Sequence, residues 1–283
     1  MSSTTHDSPD CWPLSLTRKI EDFPIGNLPL RDHQERVLLG LELSCLSKAW
    51  LDLLDVADFM ASGKKSMVDP EGVVLAWKGD GADGSDVFLA KASFVIRYPW
   101  DLIRANELHV GSIGECIIQG EIHPLAVVDG MLNLGPGSRI LPGVVIEGNV
   151  VIGANCKIGP NCYLRGHTSI GDGCHIGQSV EIKNSLILSG TNVGHLSYVG
   201  DSVLGEKVNL GAGTMTSNLR HDGKNHRSMV GGVLVDTGRR KFGAIFGDGA
   251  HTGINTSIYP GRKLWPNTST RPAGVVQYDL NFS

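Results

Sequence analysis

The sequence has no apolar run approaching the ~20 residues that span a bilayer, and its six cysteines contain no CxxC pair. The first absence predicts a chain without a transmembrane helix. The polar start, Met1 to Pro9, also lacks the basic-then-apolar pattern of a secretory signal, so a cytoplasmic protein is expected. Cys11, Cys45, Cys116, Cys156, Cys162 and Cys174 are therefore read as reduced thiols, mostly small buried ones, rather than disulfides or a metal centre. A surplus of either charge is missing too. The formal net charge of −4 gives no global attraction to nucleic acid or to an anionic membrane.

What the chain has in excess is glycine, 37 in 283 residues, well above the usual share of about 7%. Such an excess asks for a fold with many tight corners. An internal repeat supplies the reason. Leu134, Ile140, Ile146, Ile152, Ile158, Leu164, Ile170, Ile176 and Ile182 are spaced by six without a break. Two residues before each lies Leu132, Ser138, Val144, Val150, Cys156, Cys162, Thr168, Cys174 or Val180, mostly small or β-branched. Gly135, Gly153, Gly159, Gly171 and Gly177 follow the aliphatic residue. An α-helix needs a period of 3.6 and an antiparallel sheet a period of 2, and neither matches.

Each hexapeptide is instead expected to form one short strand and one corner, three of them closing a triangular coil with the aliphatics inside. Coils then stack at about 4.8 Å. Handedness does not follow from spacing; hexapeptide proteins as a class are left-handed. The fold expected is thus mainly β, a left-handed parallel β-helix over 108–283, preceded by a small α+β domain over 1–107. Past Ile182 the steps become 5, 6, 6, 5 and 6, through Ile187, Val193, Val199, Leu204 and Leu210. The phase returns at Phe246, Thr252, Ile258, Leu264 and Thr270, leaving an insertion at about 216–243. A long insertion on a rigid scaffold is usually either functional or disordered, so a site is sought there and in the irregular coils.

In the first 107 residues, Asp32 and Glu35 mark a helix start, and Leu39, Leu43, Leu46, Trp50 and Leu53 continue at helical steps. Val73–Trp77 and Val87–Ile96 read as a hairpin around the turn Gly79–Gly84. The turn's Asp80, Asp83 and Asp86 lack calcium-loop spacing. A short helix is expected from Trp100, after Pro99.

Two hexads carry a cation after the aliphatic, Arg165 and Lys183, eighteen residues apart. Stacked on one edge they form either two solvated surface charges or a phosphate clamp. His195 lies in the irregular coils, where a histidine can take a proton from an ammonium or hydroxyl nucleophile. The corner Asn209-Leu210-Gly211-Ala212-Gly213-Thr214 allows close approach of a thin ligand to the backbone. His221 and His226, with His195, raise the question of a zinc site as in β-helical carbonic anhydrases, but the spacing differs and no metal is expected.

The stretch from Arg165 to Asn218 resembles the acetyltransferase domain of the bifunctional glucosamine-1-phosphate acetyltransferase / N-acetylglucosamine-1-phosphate uridylyltransferases. The motifs are Val180-Glu181-Ile182-Lys183, His195-Leu196-Ser197-Tyr198-Val199-Gly200-Asp201, Asn209-Leu210-Gly211-Ala212-Gly213-Thr214 and Asn218. Tyr98-Pro99-Trp100-Asp101-Leu102, Asn218-Leu219-Arg220 and Thr237-Gly238-Arg239-Arg240-Lys241 are similar to the archaeal-type branch. The resemblance implies a homotrimer with sites between neighbouring β-helices and acetyl-CoA as co-substrate. It implies His195 as general base, with Arg165, Lys183, Tyr198, Asn209 and Lys241 on the sugar phosphate or its nucleotide. It implies Ala212 and Asn218 on acetyl-CoA. The family's cofactor-contacting serine is replaced near Ile254, and about 100 unrelated residues stand where the uridylyltransferase domain would be. The function expected is N-acylation of an amino-sugar phosphate or nucleotide amino sugar. The alternatives are a non-catalytic trimeric scaffold or sugar-nucleotide-binding module, and an O-acyltransferase or lipid-precursor acyltransferase.

Overall fold

The computed structural model describes residues 8–81 and 84–281, so Asp83 of the acidic turn and the first seven residues lie outside the described residues. Two compact units are present. One comprises Met1–Thr17, Ile25–Asn27 and Tyr98–Ser283, the other Arg18–Pro24 and Leu28–Arg97.

The larger unit is the left-handed parallel β-helix, with three sheets of seven, eight and eight short strands. Face 1 includes Val150–Ile152, Thr168–Ile170, Leu186–Ile187, Val203–Leu204 and Ile245–Phe246. Face 2 includes Lys157–Ile158, His175–Gln178, Asn192–His195 and Asn209–Leu210. Face 3 includes Val145–Glu147, Tyr163–Arg165, Glu181–Lys183, Tyr198–Gly200 and Met215–Thr216. All nine aliphatics of the repeat are buried in one continuous core, as are Ile187, Val193, Val199, Leu204 and Leu210 beyond them. The small residues are also buried because they point inward where the prism is narrow. Cys156, Cys162 and Cys174 are free, with thiols pointing at Gly171, Gly177 and Leu188 carbonyls of the next coil at 3.1, 2.9 and 3.2 Å.

The irregular steps have a specific origin. Through Arg165↔Lys183 the coils pair with an offset of eighteen residues. Two coils then run with seventeen, Glu181↔Tyr198 and Tyr198↔Met215. The residue lost in each comes from the corner between face 3 and face 1. That corner holds Gly148 and Gly166 in left-handed backbone, and then Asn184 (φ 47°) and Asp201 (φ 49°) in their place. At the next coil the same corner opens into the insertion, because Val203 pairs with Ile245. The insertion carries an antiparallel hairpin, Arg227–Val230 with Val233–Asp236.

Helix Pro99–Gly111 (here α3) belongs to the β-helix unit, as does Ile25–Asn27. It opens with Asp101, whose carboxylate accepts the Tyr98 N–H at 2.8 Å. Asn106 fixes it to face 1: its carbonyl oxygen accepts from Gly26 N and Ser169 Oγ, and its amide donates to the His167 carbonyl at 2.9 Å.

The smaller unit corrects two expectations. The leucines from Leu39 to Leu53 do not form one helix. Helix α1 spans Leu30–Leu38 and is followed by Gly40 in left-handed backbone, strands Leu43–Cys45 and Ala49–Trp50, and helix α2, Leu53–Ala61. Pairing of Leu43–Cys45 with Ala76–Lys78 overrides the helical spacing. Nor do Val74–Lys78 and Val87–Leu89 form a hairpin. Ser66–Val68 lies between them, antiparallel to the first and parallel to the second, and Phe94–Val95 pairs with Ala49–Trp50 instead. Asp69 makes the true turn, accepting the Glu71 and Val73 N–H groups.

Candidate functional site

Face 3 and its corner with face 1 gather most of the polar side chains singled out in the sequence. Arg165 and Lys183 are register partners at the ends of adjacent strands. They are not two free cations. Arg165 pairs with Glu181 at 2.7 Å, both side chains about one third exposed. Lys183 Nζ pairs with Asp201 Oδ2 at 2.8 Å, with the carboxylate only 3% exposed.

Asp201 is the centre of the corner. Besides Lys183 it accepts from Asn184 Nδ2 at 3.0 Å and from Asn218 Nδ2 at 2.5 Å. Asn218 Nδ2 also donates to the Tyr198 hydroxyl at 2.9 Å. Burial pushes the Tyr198 hydroxyl pKa up, and the neighbouring Asp201 charge adds to it. The network continues into α3 and the insertion. Asn184 Nδ2 donates to Glu107 at 2.5 Å, and the Arg239 guanidinium grips Glu107 with two bonds. Asp201, Asn184, Glu107 and Arg239 received no role from the sequence. The one signal for the first two is that Asn and Asp replace glycine at a corner needing left-handed backbone, which they tolerate better than other side chains.

His195, Asn209 and Ala212 lie elsewhere, along face 2 and its corner with face 3. His195 ends its strand opposite Gln178 with an exposed side chain, and Leu196 turns the corner at φ 49°. The His195 carbonyl accepts the Gly213 N–H at 3.3 Å, which places the Gly-Ala-Gly corner directly above it. Within one chain, then, Arg165, Lys183 and Asn218 fall at one long edge of face 3 and His195 and Ala212 at the other, with Asn209 set back on face 2. Lys241 joins neither edge; it is exposed on the stem of the insertion, bridged through its backbone to Leu219.

Between face 3 and the insertion lies a cleft of ≈ 840 Å³, lined by Tyr198, Met215 and Ile258 of face 3 and by Asn218, Arg220 and His221. His226 is buried, with Nε2 3.0 Å from the Asn218 carbonyl and its pKa lowered by burial. No group of three or more His, Cys, Asp or Glu side chains able to hold a metal occurs among the described residues. No helix there is long and apolar enough to cross a membrane.

Residues 146–259 match the family model described as the GMPPB C-terminal domain. A bifunctional sugar-1-phosphate nucleotidylyltransferase/acetyltransferase of Sulfurisphaera tokodaii is 47% identical over 104 residues, 37% of this chain and 26% of that protein. A bifunctional protein GlmU of Methanococcus maripaludis is 48% identical over 185 residues, 65% of this chain and 44% of its own. This chain spans less than half the length of these curated relatives. Among solved structures, the acetyltransferase domain of PglB from Neisseria gonorrhoeae aligns over 69% of this chain and 64% of its own at 13% identity, with a TM-score of 0.27. The β-helix of this chain is thus related in sequence to bifunctional sugar-1-phosphate nucleotidylyltransferase/acetyltransferases.

Proposed function

We propose that the chain is an acyl-CoA-dependent N-acyltransferase, with acetyl-CoA as donor and an amino-sugar phosphate or nucleotide amino sugar as acceptor. The observation that carries this reading is the half-buried Tyr198–Asn218–Asp201–Lys183 network, whose Tyr198 and Asn218 line the 840 Å³ cleft. The relatives' names, which join sugar-1-phosphate and acetyl transfer, agree with it. In the reaction, the acceptor amine attacks the thioester carbonyl, His195 takes its proton and returns it to the sulfur as the C–S bond breaks, and coenzyme A leaves as the thiol. Arg165 and Lys183 hold the sugar phosphate, with Tyr198, Asn209 and Lys241 as further substrate contacts. Ala212 and Asn218 contact the acyl donor. Because the residues occupy both edges of face 3, a homotrimer pairing one edge with the other edge of a neighbour completes the site.

Thiol release from acetyl-CoA, measured against a panel of amino-sugar 1-phosphates, tests this. At least one acceptor should give turnover, and His195→Ala should lower it by about 10²–10⁴-fold, the range of a general base, with assembly retained by light scattering. No thiol release with any amine would favour the scaffold reading, and an unaffected His195→Ala would remove the base.

A further inference from the structure

The insertion has a charge pattern opposite to that of the chain around it. Residues 216–243 contain six Lys or Arg against two Asp, whereas the rest of the chain has 19 against 27. Four of these cations, Arg220, Lys224, Arg227 and Arg240, line one cleft of ≈ 610 Å³ with Asp236 as its single acidic wall residue. Two of the arginines are braced by neighbours. Arg240 Nε donates to the Gly223 carbonyl at 3.0 Å. Arg220 makes a two-bond pair with Asp222 at 2.8 and 2.6 Å, and Asp222 also accepts the Lys224 N–H. That pair neutralises itself, leaving Lys224, Arg227 and Arg240 against Asp236. Asp236 stands opposite Arg227 across the hairpin, and its carboxylate accepts the Gly238 N–H.

Three cations against one carboxylate thus face one concavity in a net-acidic chain. Guanidinium forks match phosphate oxygens in pairs, so the cluster suits phosphate better than a lone carboxylate. Arg220 also lines the 840 Å³ cleft holding Tyr198 and Asn218, so the two clefts meet at that residue.

We infer that the insertion cleft is a second anion subsite, taking the phosphates of a nucleotide-bearing ligand whose other end reaches face 3. The anion subsite stands on the insertion alone; the reach to face 3 rests on the proposed function. Two ligands carry such phosphates, the acyl donor through its adenine nucleotide and a nucleotide sugar through its diphosphate.

Calorimetry with adenosine 3′,5′-bisphosphate and with UDP, on the full chain, separates them. Lys224→Ala/Arg227→Ala should weaken the bound probe about tenfold or more, since charge-assisted bonds are among the strong ones, and added salt should weaken wild-type binding. Loss confined to the bisphosphate assigns the subsite to the donor, and loss confined to UDP assigns it to the acceptor. Lys91→Ala, an exposed cation of the other unit, should change neither. The inference is overturned if neither probe binds at millimolar concentration, or if a folded double variant binds both as wild type does. Probe binding without thiol release would leave the subsite standing while removing the proposed activity.

Discussion

Asp201→Ala should destabilise the β-helix unit more than any other single polar truncation at this corner. The carboxylate is nearly inaccessible and carries three partners: the Lys183 ammonium, 14% exposed, and the Asn184 and Asn218 amides. Removing one member of a buried ion pair costs about 3–5 kcal/mol. The residual exposure of Lys183 lets water recover part of that, which brings the expected loss to about 2–4 kcal/mol. Alanine at φ 49° adds about 1–2 kcal/mol of backbone cost. Asp201→Gly separates the two contributions: it forfeits the same bonds but relieves the backbone, so it should be about 1–2 kcal/mol more stable than the alanine variant. Asp201→Asn keeps the shape and loses the charge, and Lys183→Met in that background should cost less than in wild type. Urea unfolding of the four variants, with the double-mutant cycle, measures all of this. The reasoning fails if Asp201→Ala lies within about 0.5 kcal/mol of wild type, the usual span for an unremarkable surface substitution.

Two further predictions concern other parts of the molecule. Glu107→Ala removes the acceptor shared by Asn184 and Arg239, so amide exchange in the hairpin 227–236 should accelerate while the regular coils stay protected. In the smaller unit, burial works to raise the pKa of Asp55, but N–H groups of Lys91, Ala92 and Ser93 outweigh it and lower the net value. A carboxylate with a depressed folded pKa contributes stability that is fully present above its unfolded pKa, about 3.9, and is lost as pH falls through the folded value. Acid unfolding of the smaller unit should therefore become less steep in Asp55→Asn, which should also be less stable than wild type at pH 7. An unchanged acid profile would refute the assignment.

The β-helix was legible because a six-residue period, repeated nine times, has one physical solution, and each interior aliphatic could be placed before any coordinate. The smaller unit was not, because its strands are two to five residues long. Leu43 and Trp50 fall at helical spacing although each belongs to a separate strand, and only the pairing with residues distant in sequence decides between the readings. Ser66–Val68, the strand that displaces the expected hairpin, is too short to carry a period of its own. At the site, the cations Arg165 and Lys183 were visible as breaks in a pattern. Their partners were not, since Glu181 and Asp201 follow no rule of spacing that marks a carboxylate as paired.

A regular β-helix presents three nearly flat faces, and flat faces bind small molecules poorly because they bury little of them. Concavity has to come from a departure. Here the departure recurs at one corner in three successive coils: a residue is missing at Asn184, another at Asp201, and the insertion leaves the third. Glycine would be the low-cost residue at the first two, as it is at Gly148 and Gly166. Asn184 and Asp201 instead put a side chain on left-handed backbone, and each reaches the layer that follows: Asn184 donates to Asp201, and Asp201 accepts from Asn218 at the mouth of the insertion as well as from Lys183 in the layer before. The polar network at this corner therefore ties the mouth of the insertion, through Asn218, to the two coils that precede it.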